Sequence, residues 1–114
     1  MVNRRFVEIT MQDAQAGNAN GTVVNLSGYT QGTMHVIGTF TGTVNFEGSN
    51  DGTNFTNLIV ANNAISGVGL ANHVISVTAA TLVYLVSFPK LIRARTSSMS
   101  AGSVSVLFRG ELHG

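Results

Sequence analysis

The sequence predicts an all-β fold: an antiparallel β-sandwich or jelly roll of about eight to ten short strands with an N-terminal arm. Three observations predict it. Residues 42–48 alternate, with Val44 and Phe46 on one face and Thr43, Asn45 and Glu47 on the other. Residues 91–96 and 103–112 alternate too, Ile92 and Ala94 against Arg93 and Arg95, then Val104, Val106 and Phe108 against Ser103, Ser105 and Arg109. Strand side chains point to opposite faces with period two, so each segment has one apolar and one wet face. Turn signals such as Ser49-Asn50-Asp51-Gly52 separate such runs, and the frequent β-branched residues and glycines disfavour helix.

Taken in order, residues 1–20 form an arm or strand plus linker, and residues 21–114 the sandwich. Residues 6–10 alternate as a short strand or pairing arm, and residues 13–20 are small and polar, a loop. The best helix candidate, residues 10–16, is short and runs into Gly17 and Asn18. Strands are expected at 22–26, 34–40 and 42–48, with a tight connection at Thr41-Gly42. Residues 55–61 return from the Asn-Asp-Gly turn. Residues 64–70 are a strand or an irregular crossing, and 73–78 alternate. Residues 82–88 are a nearly continuous apolar run, expected to be the most buried strand and ended by Pro89. Residues 91–96 and 103–112 close the domain. The arm reading implies that removing residues 1–12 leaves the sandwich folded but lowers its affinity for an assembly partner.

At 114 residues the chain suffices for one domain with a two-sheet core. Hydrophobic residues make up 44% and charged residues 10%, against about 25% charged in a typical soluble domain. Such a charge-poor surface suits packing against neighbours. A net charge of +1 gives weak long-range attraction to nucleic acid or anionic membrane, and neither is an expected partner. There is no cysteine. No apolar run approaches the roughly 18 residues of a membrane helix. The N-terminus lacks the apolar core of a secretory signal, so use without Sec export is expected.

Sites for chemistry are sparse. Asn50, Asp51 and Asn54, with Glu47 nearby, offer oxygen ligands, but one carboxylate in the turn falls short of a calcium loop and fits a hairpin turn. His35, His73 and His113 lack ligand spacing. No nucleophile elbow, catalytic triad or phosphate-cradling loop appears. No enzyme activity, cofactor or metal is expected. For sugar stacking the chain offers only Tyr29, Phe55 and Tyr84 beside core-like Phe40, Phe46, Phe88 and Phe108. Lys90, Arg93 and Arg95 lie close in sequence, with Arg93 and Arg95 on one strand face about 7 Å apart by strand rise. They read either as a solvated face or as an interface patch. With Arg4, Arg5 and Phe6 of the arm they are the candidate partner-binding residues.

The hairpin Gly-Thr-Val-Asn-Phe-Glu-Gly-Ser with its Asn-Asp-Gly turn and Phe55, the later Ile92-Arg93-Ala94-Arg95 and Gly102-Ser103-Val104-Ser105-Val106, and the leading Val-Val-Asn-Leu-Ser-Gly at 23–28 resemble small β-sandwich structural proteins of tailed bacteriophages. The resemblance runs over most of residues 21–110. It implies a virion accessory protein: a capsid decoration (cement) protein, homotrimeric, bound to the major capsid protein at capsomer junctions on the virion surface and made in the host cytoplasm. The alternative it implies is a tail or fibre module that binds host-surface glycan.

Overall fold

The computed structural model describes residues 5–62 and 72–112. They form two antiparallel sheets packed face to face, and every described regular element is a strand. The strands are β1 (Arg5–Gln15), β2 (Val24–Asn25), β3 (Tyr29–Ile37), β4 (Phe40–Ser49), β5 (Thr56–Asn57), β6 (Val60–Asn62), β7 (Asn72–Val74), β8 (Ser76–Val77), β9 (Thr81–Leu85), β10 (Leu91–Gly102) and β11 (Val104–Leu112). One sheet has six strands in the order β1-β11-β3-β9-β6-β7; the other runs β2-β10-β4-β5, with β8 also on β4. The all-β sandwich is as the alternation requires.

The alternating segments build the core. On β10, Ile92, Ala94 and Thr96 point inward, and on β4 Val44 and Phe46 do. In register, Ala94 faces Phe46 and Thr96 faces Val44, while Arg93 faces Glu47 and Arg95 faces Asn45 outside. From the other sheet come Met34, Val36, Val83, Val104, Val106 and Phe108, all fully buried. Phe46 and Phe108, one from each sheet, are the largest wholly enclosed side chains, and such aromatics dominate the energy of burial.

Several boundaries differ from the sequence reading. The N-terminal segment is a strand: β1 pairs along β11 from Arg5↔Leu112 to Gln15↔Val104. It takes in all but the last of the residues 10–16 considered for helix and extends two residues past the expected loop start at 13. Met11 and Gln12 are buried. Gln12 donates from Nε2 to the Ala94 carbonyl of the opposite sheet (2.8 Å) and to the Ala19 carbonyl (3.1 Å). The Thr22 amide donates to the Met11 carbonyl (2.9 Å), and Thr96 holds the same loop through Ala19 N–H and the Gly17 carbonyl. The loop after β1 therefore closes one margin of the sandwich.

Residues 55–61 are not one strand. The chain leaves β5 in one sheet, passes Leu58 and Ile59, and enters β6 in the other. Residues 73–78 switch sheets in the reverse sense between β7 and β8, with Ile75 exposed at the corner. The sequence signal at 64–70 lies outside the described residues. The apolar run 82–88 is not the most buried strand. Strand β9 ends at Leu85, Val83 points inward, and Tyr84, Val86 and Phe88 are exposed. A run of apolar residues still alternates faces once it pairs, so half of it must leave the core. The turn before β4 is at Gly38-Thr39, not Thr41-Gly42. Gly38 has φ +121°, and a Cβ there would lie 2.5 Å from the Ser103 carbonyl oxygen. Gly102, at φ +72°, meets the Thr39 backbone closer still. The β3–β4 and β10–β11 connections thus abut so tightly that only glycine fits.

Candidate functional site

The outer face of the five-stranded sheet carries an ion cluster. β4 and β10 set Glu47 directly opposite Arg93, with Arg95 two residues on. Arg93 Nε donates to Glu47 Oε1 at 2.8 Å and Arg95 Nε to Oε2 at 3.1 Å. Arg93 also stacks its guanidinium 4.0 Å from the Phe55 ring centroid. These neighbours enclose Glu47, which is buried although it points outward. Burial works to raise its carboxyl pKa; the hydrogen bonds and charges of Arg93 and Arg95 outweigh this and hold it below the usual carboxylate range. Asn45 extends the layer, donating from Nδ2 to the Arg95 carbonyl (3.0 Å) and Ser97 Oγ (2.8 Å). The arginine strand is therefore a polar face on which Glu47 offsets one of two positive charges and both arginine side chains stay partly exposed.

The turn after β4 is a capped hairpin turn. One Asp51 carboxylate oxygen accepts from the Thr53 and Asn54 amides and Ser49 Oγ, and the other from Asn54 Nδ2. The amide of Asn54, that of Thr53 and the two side chains together push the Asp51 pKa far down. These donors occupy the carboxylate that the calcium alternative would need. Among the described residues no three His, Asp or Glu side chains come together.

The outer face of the six-stranded sheet is less polar. Phe6, Leu107, Tyr84 and Ile37 are exposed there. The Arg109 guanidinium lies 4.3 Å from the Phe6 ring centroid and its Nε 4.0 Å from Glu8 Oε2. Gln31 donates to Glu111. Beside them runs a groove of about 520 Å³, lined in part by Glu8, Thr33, His35, Leu82, Leu107 and Arg109.

The structure divides the sequence-predicted candidates. Arg5 and Phe6 lie at the β1 edge of the six-stranded sheet, and Arg93 and Arg95 on the opposite outer face. Lys90 is exposed in the loop before β10; its amide donates to Asn50 Oδ1 at 2.8 Å. Arg4 lies outside the described residues, as does His113. Of the stacking candidates, Tyr29 packs edge-on against Phe108 at 5.3 Å, Phe55 is covered by Arg93, and Tyr84 is exposed on the other sheet. They form no shared platform. The Glu47 clamp was missed, because it depends on the β4–β10 register. So was Arg109 with Phe6 and Glu8, for the same reason on β1–β11.

No protein-family model matches the chain, and no curated protein does. Two solved structures do. The crystal structure of SPBc2 prophage-derived protein YomS superposes with a TM-score of 0.83 at 13% identity, over 97% of this chain and 96% of that one. The fold is shared from end to end. The crystal structure of PBSX exported protein XepA gives 0.80 at 16% identity over 95% of this chain and 38% of its own. This sandwich thus corresponds to a little over a third of XepA and to nearly all of YomS. At these identities the likeness is one of fold.

Proposed function

We propose that the chain is a non-enzymatic phage structural protein, a head decoration protein that binds the major capsid protein at capsomer junctions on the virion surface. The observation that carries this reading is the end-to-end fold likeness to a prophage-derived protein, met independently by the phage-like hairpins of the sequence. The surface agrees with it. One broad face is a polar layer whose two arginines share Glu47, and the other exposes Phe6, Tyr84 and Leu107. Exposed aromatic and aliphatic side chains beside arginine suit a protein partner better than a small substrate. Many copies on a lattice would hold through multivalency, each binding modestly.

Co-sedimentation of the purified chain with undecorated heads and, separately, with tails tests this. Saturable binding to heads is expected. Binding to tails alone, or to glycan with neither, would replace the head reading with recognition by a tail or fibre module.

A further inference from the structure

The sheet margins are unequal. The edge strands β2, β5 and β8 have two residues each and β7 has three, whereas β1 has eleven. Short edges protect against pairing with other chains; long ones invite it. The second half of β1 is covered, since Met11 accepts from Thr22 N–H and Gln12 binds the Ala19 carbonyl. Among the described residues nothing pairs with the outer edge of residues 5–10. Of the usual protective devices that stretch has only the charges of Arg5 and Glu8. It holds no proline or lysine, and the register shifts of β1 begin only after Thr10. Its alternation is regular: Phe6 is exposed outside, and Val7 and Ile9 are half-buried toward the core margin.

We propose that this edge pairs antiparallel with the same edge of a second copy, about a two-fold axis at Val7. Residues directly opposite in a sheet share a face, so the paired numbers must have an even sum. Centring on Glu8 would set two glutamates opposite each other, which is destabilising. Centring on Val7 pairs Arg5 with Ile9 and Phe6 with Glu8, and Val7 meets Val7 of the partner subunit. That register has charge complementarity. Within one copy, Glu8 and Arg109 are both more than half exposed and only 4.0 Å apart at their nearest. In the pair, each Glu8 sits beside Phe6 of the partner subunit, over whose ring Arg109 already lies. Each carboxylate then has a cation on both sides, and the half-buried Val7 and Ile9 gain apolar cover. The inference does not depend on where the protein sits in a virion.

The chain has no cysteine, so single-cysteine variants read the register directly. Opposed residues have Cα atoms about 4.5–5.5 Å apart, inside the range of about 4.4–6.8 Å that a disulfide spans. Val7→Cys should oxidise to a covalent dimer at least about tenfold faster than Phe6→Cys or Ile9→Cys, whose counterparts fall beyond about 7 Å in this register. Light scattering of the unaltered chain, taken up to millimolar concentration, should show mass rising toward that of two copies. Glu8→Pro, with an unchanged far-ultraviolet circular dichroism spectrum, should abolish the rise. A one-copy mass throughout, or cross-linking that is equal at all three positions or fastest away from Val7, would overturn the proposal.

Discussion

Phe46 and Glu47 are neighbours on β4 that do opposite work. Phe46 is wholly enclosed against the second sheet, and Phe46→Ala should destabilise the fold by about 3–5 kcal/mol, read by urea denaturation. A loss below about 1 kcal/mol would show that the core is elsewhere. Glu47 points out and yet is buried, because two arginines and a stacked ring close over it. Glu47→Gln should cost about 1–3 kcal/mol at neutral pH, since it weakens charge-assisted hydrogen bonds to both arginines. Its sign with pH follows from its lowered carboxyl pKa. The stabilisation is fully present above the ordinary glutamate range and is lost as pH falls through the folded value. The gap between the native chain and Glu47→Gln should therefore close in acid, and a pH-independent gap would exclude the ion pairs as its origin. Alternation showed that Phe46 is inside and Arg93 and Arg95 outside. It did not show the clamp, because Glu47 meets those arginines only through a strand register that one sequence does not encode locally.

At the scale of elements, legibility followed length. β4, β10 and β11 span nine to twelve residues each and present one buried and one wet face, so their period is visible. Strands of two or three residues, such as β5, β7 and β8, carry no period, and a chain that changes sheets reverses which face is inward. That is why residues 55–61 read as a single strand. β1 was legible as a strand over residues 6–10, and its continuation was hidden by Asp13, Ala14 and Gln15, polar or small residues on an irregular stretch where Ala14 adopts φ +46°. The consequence is a revised expectation for truncation. Removing residues 1–12 takes away Met11, the Gln12 bridge between sheets and most of β1, one of the two strands that pair with β11. The truncated chain should lose cooperative unfolding, measured by thermal melting. A sharp melt within a few degrees of the full chain would restore the detachable arm.

The molecule is flattened, with principal extents of 48 × 38 × 22 Å. It offers two broad faces of different character, and among the described residues the stretch 5–10 of β1 is an open sheet edge. That geometry suits a subunit that lies flat on a lattice and meets its own kind side by side. The two-fold edge contact joins copies in pairs, so the three-fold assembly implied by the sequence resemblance would need a different surface. The central claim is that the chain is a structural component of a phage head. Gold labelling of intact particles of the encoding phage with an antibody to this chain, counted by electron microscopy, tests it most directly. Label distributed over the head surface in many copies is the expected result; label confined to the tail, or particles that carry none of the chain, would contradict the account.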